Sequence, residues 1–188
     1  NLLKIFIIYS ILSIGILSLL NLSGIRLFNS LNLSMTLISG GGFLPTESLD
    51  KIISTSFQKI ILIFSLMLSF FNFFLVFNLF NKNVLIKEHK EDSYLVILLI
   101  IFCFLIYFNN YDGLDIIISV TSSLANSGLT LMKSDNNLSL YFLLITMIGG
   151  SIISNSSGIK FIRFYILLKI TSLEIIKLIS PNSIINKT

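Results

Sequence analysis

The chain has 188 residues, of which 54% are hydrophobic and only 12% are charged, and its mean hydropathy is +0.93. This apolar content exceeds that of ordinary water-soluble domains and nearly excludes a soluble fold. The formal net charge of +4 is too small to neutralise many phosphates, which argues against nucleic acid as a partner. A single cysteine, Cys103, and a single histidine, His89, cannot build a disulfide framework or a zinc site.

Long uncharged windows are the main feature along the chain. A helix that crosses a hydrocarbon core of about 30 Å needs roughly 20 apolar residues. Four windows satisfy this length, and we predict spanning helices at 5–25, 60–81, 93–111 and 136–159.

Two further uncharged windows, 27–46 and 116–132, differ because they carry Asn, Ser, Thr and Gly throughout. They are broken near their C-terminal ends by residues 40–42 and by Gly128. Residues 24–38, which overlap the first window, would form a helix of about 22 Å, which is enough to enter a membrane but not to cross it. We predict that both windows form re-entrant pore helices.

The order of spanning run, broken polar run and spanning run occurs twice, which indicates an internal duplication. The two first spanning windows start 88 residues apart, and Gly41 and Gly128 lie 87 residues apart. We therefore predict an all-α membrane protein with two tandem helix-pore loop-helix repeats, comprising four spanning helices and two re-entrant pore helices. The first repeat covers 1–91, and the second covers 92–188 with a last spanning helix that is broken by an intramembrane loop.

Basic residues predict the orientation, because Lys and Arg accumulate on the cytoplasmic side of a membrane. Lys4, the 81–92 connector and the C-terminal tail hold nine basic residues, so we expect both termini inside and both pore loops entering from outside. The outer face would carry five acids, Glu47, Asp50, Asp112, Asp115 and Asp135. These acids either attract cations to a vestibule or are simply solvated. Lys59 lies near a helix end and is expected to snorkel.

The glycine-rich breaks indicate an ion path, because non-helical backbone at membrane depth survives only inside protein or beside a water-filled cavity. A pore helix with its C-terminus pointing inward favours a cation at the membrane centre. Glycine frees the backbone to present carbonyl groups that replace the hydration shell of potassium. We assign the selectivity filter to Ser39, Gly40, Gly41, Gly42, Ala125, Asn126, Ser127 and Gly128, with potassium at the Gly41 and Gly128 backbone carbonyls. Extracellular turns are the alternative interpretation.

The last spanning window is interrupted by small and polar residues that an uninterrupted helix would not contain. We predict an unwound gating loop that obstructs or opens the pathway beneath the filter. Its residues are Gly149, Gly150, Ser151, Ser154, Asn155, Ser156, Ser157 and Gly158. The alternative is a set of small residues for close helix packing.

These motifs resemble those of the TrkH/KtrB potassium-uptake subunits of bacteria, whose relatives include the Trk and HKT transporters. The segment Ser39-Gly40-Gly41-Gly42-Phe43 is similar to the S-T-G-G-F filter of the family's second repeat. Residues 149–163 are similar to the G-G-x-x-x-S-T-x-G-G-I-K-x-x-R signature after the third repeat, and Ser180-Pro181-Asn182 to a following His-Pro-Asn segment. The resemblance implies an internal fragment that holds the second and third of four repeats.

The resemblance also implies the function, which is translocation of potassium, or of sodium with or instead of it, across a bacterial inner membrane. It implies contact with membrane lipid, a homodimer, and a cytosolic nucleotide-binding regulatory subunit of the TrkA/KtrA type. We expect no covalently bound cofactor and no enzymatic activity, since no G-x-S-x-G or H-E-x-x-H motif occurs and the acids fall outside the predicted spanning windows.

The sequence departs from the family pattern at several positions. Gly40 replaces the usual Thr, and Leu129 replaces a common Phe. Ile152, Ile153 and Ser157 replace smaller or glycine residues in the loop. Because of these departures and the missing repeats, the alternative function is a non-conducting membrane scaffold or a degenerate fragment of such a transporter.

Overall fold

The computed structural model describes residues 2–71, 91–108, 111–132, 136–152 and 154–179. Several predicted features therefore lie wholly or partly outside the described residues. They are the end of the 60–81 window, most of the 81–92 connector with His89, residues 109–110 of the 93–111 window, Lys133, Asp135, Ile153 and the Ser180-Pro181-Asn182 segment.

Within the described ranges the chain forms helices and no strand, which confirms the all-α fold class. The α-helices are α1 (Leu2–Leu22), α2 (Leu27–Ser39), α3 (Ser56–Phe70), α4 (Glu91–Tyr107), α5 (Gly113–Ala125), α6 (Asn136–Ile148) and α7 (Phe161–Ile179). A 3-10 helix at Leu49–Lys51 lies between α2 and α3.

Helix lengths do not separate the predicted pore helices from the rest. The two predicted pore helices, α2 and α5, have 13 residues each, and so does α6. In the part of the chain that the structure describes, none of the helices reaches the length and apolar character needed to span a bilayer. The four spanning helices stay a prediction.

The helices α1 to α3 and α4 to α6 form two successive units with the same order of elements. Helix α5 begins and ends 86 positions after α2. Both helices end in a left-handed residue, Gly40 with φ 64° and Asn126 with φ 56°. Two positions later the backbone is again left-handed, at Gly42 (φ 65°) and Gly128 (φ 67°). The structural counterpart of Gly128 is therefore Gly42, one position away from the pairing with Gly41 that the sequence suggested.

Helix α5 lies at the centre of the packing and contacts α3, α4 and α6. Its buried hydroxyl groups bond to its own backbone: Ser119 Oγ donates to the Asp115 carbonyl at 2.9 Å, and Ser123 Oγ donates to the Ser119 carbonyl at 2.7 Å. Such bonds satisfy the polar groups without a partner helix, and the small side chains let neighbouring helices approach closely. The third helix of the first unit, α3, thus packs against the predicted pore helix of the second unit, α5.

A capping box fixes the start of α3. Thr55 Oγ1 accepts from the Gln58 backbone N–H at 3.4 Å, and Gln58 Oε1 accepts from the Thr55 N–H at 3.3 Å. The Gln58 amide also donates to the Ser23 carbonyl at 3.2 Å, which ties α3 to the turn between α1 and α2. This helix therefore begins four residues before the uncharged window that predicted it.

Helix α7 lies in the C-terminal tail after residue 160, for which the sequence analysis predicted no helix. Arg163, Lys169 and Lys177 interrupt the uncharged windows there, although Lys and Arg are good helix formers. No residue of α7 is buried, and the helix contacts α4. Apolar side chains on α4 are exposed as well, including Ile100 at 58% and Phe104 at 62%.

Candidate functional site

The C-terminal ends of α2 and α5 lie next to each other. A Cβ atom built on Gly40 would lie 3.2 Å from the Ala125 carbonyl oxygen and 3.9 Å from that of Asn126. A Cβ atom built on Gly42 would overlap the carbonyl oxygen of Ser127 and lie 3.3 Å from its carbonyl carbon. The structure thus brings together the two segments that the sequence assigns to a filter, 39–42 and 125–128.

Hydrogen bonds at the two helix ends hold these segments in matching conformations. The N–H groups of Gly40 and Gly41 both donate to the Thr36 carbonyl. In the second unit, the Asn126 N–H donates to the Ser122 and Ser123 carbonyls, and the Ser127 N–H donates to Ser122. These bonds cap the last carbonyl groups of each helix through a left-handed residue, as is common at helix C-termini.

The predicted filter residues differ in exposure. Gly41 and Gly128 are both exposed, as is Ser39, whereas Ala125 and Ser127 are buried. The Ser127 hydroxyl lies 3.1 Å from the Ser122 hydroxyl, so it fastens its segment to the last turn of α5. Backbone at the two glycines is therefore accessible, while the serine side chain serves the packing.

The helix break predicted in the last spanning window is present, because α6 ends at Ile148 and α7 begins at Phe161. The ends of this segment meet. A Cβ atom on Gly149 would overlap the Ser157 carbonyl oxygen and lie 3.4 Å from the Gly158 Cα. The Ile159 N–H donates to the Met147 carbonyl at 3.1 Å. The backbone therefore leaves α6 and returns at nearly the same place, which requires the left-handed φ of 69° at Gly149 and 92° at Gly158.

Serine hydroxyl groups organise the interior of this loop. Ser156 Oγ accepts from the Gly150 N–H at 2.9 Å and lies 2.8 Å from Ser154 Oγ. Ser154 Oγ also donates to the Ser151 carbonyl at 2.7 Å. The Ser151 N–H donates to the Phe70 carbonyl at 3.0 Å, which joins the loop to the end of α3.

The loop adjoins both glycine segments. The Asn155 carbonyl oxygen lies 3.9 Å from a Cβ position on Gly40. On the other side, the Asn126 amide nitrogen lies 3.2 Å from a Cβ position on Gly158, and it donates to the Thr146 carbonyl at 3.1 Å. Residues 149–158, which the sequence predicts as a gate, therefore lie beside the residues that it predicts as a filter.

Two ionic features of the site escaped the sequence analysis. Lys59 Nζ lies 2.5 Å from Asp115 Oδ1, and both side chains are about four-fifths buried. Lys59 was expected to snorkel and Asp115 to face water, but the packing of α3 on α5 pairs them. Near the loop, Glu91 is 4% exposed and accepts from the Ile152 N–H at 3.0 Å, while Lys160 Nζ donates to loop oxygens of Ser154. Residue spacing carries no signal for such long-range pairs.

Comparison with known proteins gives two relevant similarities, and no protein family model matches the chain. The chain is 30% identical to an uncharacterized cation transporter of Methanocaldococcus jannaschii over 182 residues. The aligned region covers 95% of this chain and 37% of the relative. Its structure resembles the potassium transporter TrkH from Vibrio parahaemolyticus, with a TM-score of 0.84 and 21% identity, over 98% of this chain and 43% of TrkH. The chain spans less than half the length of either protein. The resemblance that the sequence motifs indicate is confirmed at the level of the fold, which is that of part of TrkH.

Proposed function

We propose that the chain is the central part of a potassium-translocating subunit of the Trk/Ktr type, in which residues 39–42 and 125–128 are two sides of one selectivity filter. The observation that carries this proposal is the contact of Gly42 with the backbone of Ser127 at the ends of two short helices. Helix C-termini carry partial negative charge, so two of them converging on accessible backbone favour a cation.

The proposed mechanism needs no covalent step. A potassium ion loses its water and binds backbone carbonyl oxygens, among them those of Gly41 and Gly128. The 149–158 loop, next to Gly40 and Asn126, then obstructs or opens the inner half of the path. Sodium is the competing ion, and the fit of the carbonyl groups decides between the two.

The surroundings of the path support a membrane location. Apolar side chains on α1, α4 and α7 are exposed in large number, which suits contact with lipid or with further membrane helices. We propose the plasma membrane, with the N-terminus and the tail inside and the pore loops entering from outside. The homodimer and the TrkA/KtrA-type regulatory subunit that the sequence resemblance implies belong to the same proposal.

Ion flux through the complete protein in liposomes tests the filter. We expect Gly41→Asp and Gly128→Asp each to abolish potassium flux or its preference over sodium, because a carboxylate would replace neutral carbonyl groups as the nearest ligand. Gly24→Asp is the matched control for Gly128→Asp, since Gly24 also has a left-handed φ with open space around it but lies in the α1–α2 turn. Unchanged flux and preference in both filter variants would show that the assignment is wrong, and absent flux in the parent protein would favour a non-conducting scaffold.

A further inference from the structure

An acid buried at the start of α4 contacts the gating loop. Glu91 is 4% exposed, and its Oε1 atom accepts from the Ile152 N–H at 3.0 Å. The bond joins residues 61 positions apart and links the loop to α4. Burying a carboxylate costs free energy unless hydrogen bonds and positive charge compensate it, so the burial of Glu91 indicates a structural or functional role.

A lysine holds the same loop from its other end. Lys160 Nζ donates to the Ser154 carbonyl at 3.1 Å and to the Ser156 carbonyl, and it lies 3.2 Å from Ser154 Oγ. The backbone of Lys160 has a φ of 76°, a left-handed conformation that long side chains rarely adopt. The ammonium group thus occupies a cluster of loop oxygens at the cost of local strain.

The two charges also act on each other. The Glu91 carboxylate attracts the Lys160 ammonium, whereas Arg163, on the first turn of α7, repels it. Glu91 therefore accepts from the Ile152 N–H and also favours the positive charge of Lys160. Removal of the Glu91 carboxylate would expose the Lys160 ammonium to the repulsion of Arg163 without the attraction of that carboxylate.

We propose that Glu91 and Lys160 are positioning residues that keep residues 149–160 folded against the filter, and that loss of either one loosens the loop and raises ion flux. The inference rests on the proposed function, because it takes the loop as the obstruction in the path. Its physical basis is the pair of contacts with the loop, from Glu91 to the Ile152 N–H and from Lys160 to the Ser154 carbonyl, and not a contact with the filter carbonyl groups. We therefore expect a changed rate without a changed preference between potassium and sodium.

The test uses the complete protein in liposomes and two measurements. The first is potassium flux. The second is the rate at which a water-soluble thiol reagent labels Asn155→Cys, in a Cys103→Ser background. Loss of a hydrogen bond to a charged group changes an opening equilibrium by about tenfold or more, so Glu91→Ala should raise the labelling rate about tenfold and should raise flux. Lys160→Met should act in the same direction.

Conservative and neighbouring variants separate positioning from a general loss of stability. Glu91→Gln keeps an oxygen for the Ile152 N–H but has no charge, so we expect a smaller increase in labelling than for Glu91→Ala. Lys169→Met and Lys177→Met each remove an exposed charge from α7, the helix that follows Lys160, and should leave the labelling rate at the parent value.

Parent-like labelling in both Glu91→Ala and Lys160→Met would overturn the proposal. If Glu91→Ala does not accumulate in the membrane, Glu91→Gln takes its place in the test. Parent-like labelling in both Glu91→Gln and Lys160→Met would then overturn the proposal. Equal increases in the two control variants would also overturn it. Failure of the proposed function is distinguishable, because it removes flux from the parent protein while the labelling comparison still reports how the loop is held.

Discussion

Replacement of Gly42 by alanine is the sharpest test of the contact between the two units. Gly42 has a φ of 65°, and an added Cβ atom would overlap the Ser127 carbonyl oxygen. A left-handed conformation costs an L residue about 1–2 kcal/mol. Forcing an atom into packed backbone costs about 1–3 kcal/mol more, because the carbonyl must move. We therefore expect Gly42→Ala to lower the free energy of unfolding by about 2–5 kcal/mol.

Two other glycines supply controls that separate these costs. Gly128 has nearly the same φ, 67°, but an added Cβ atom meets nothing within 4 Å, so Gly128→Ala should cost only the conformational part, about 1–2 kcal/mol. Gly41 has no left-handed φ, and its Cβ position lies 3.1 Å from the movable Ser39 hydroxyl. Gly41→Ala should therefore have the smallest effect on stability of the three.

The measurement is thermal unfolding of the complete protein in detergent, with potassium and sodium flux on the same preparations. The difference between Gly42→Ala and Gly128→Ala isolates the contact with Ser127, because the conformational cost is common to both. Gly42→Ala should also lose potassium preference, since the displaced Ser127 carbonyl belongs to the proposed filter. Equal stability of the Gly42 and Gly128 variants would refute the packing of the two segments against each other.

Three further predictions concern bonds that hold the helices around the site. Lys59→Ala and Asp115→Ala each leave a largely buried charge unpaired, so each should lower the free energy of unfolding by about 1–3 kcal/mol in a thermal unfolding assay. A double variant that exchanges the two residues should restore most of this stability. Gln58→Ala removes the capping box of α3 and should cost about 0.5–2 kcal/mol by the same assay, with no change in ion preference. Asn126→Ala should destabilise more than Asn126→Gly, because both lose the bond to Thr146 but only alanine is strained at a φ of 56°; the reverse order would contradict the left-handed cap.

The short helices and the breaks after them could be predicted from the sequence because their signals are local. Polar residues, glycine and the absence of charge within one window predicted a helix at 24–38, and the structure has α2 at Leu27–Ser39. Helix α7 escaped prediction because charged residues were used as boundaries, although they do not interrupt backbone hydrogen bonds. Local composition thus located the breaks better than it located the ends of helices.

Some features of the candidate site could likewise be predicted from the local sequence, and others could not. The left-handed positions at Gly40, Gly42 and Gly128 were predictable, because glycine takes such φ angles more readily than other residues. The Lys59–Asp115 pair and the Glu91–Ile152 bond were not, since their partners lie 56 and 61 positions apart and meet only through helix packing. The charges around the site therefore depend on tertiary structure, whereas the glycines depend on the local path of the chain.

The two units together indicate which glycine position matters most. At the helix cap the first unit has Gly40 and the second has Asn126, so a side chain is tolerated there. Two positions later both units have glycine with nearly equal φ, although only Gly42 is crowded by a neighbour. At Gly128 there is open space for a side chain, so packing alone does not explain the glycine. What the two positions share is a left-handed backbone, which is the feature that would let the proposed filter turn its carbonyl groups toward an ion.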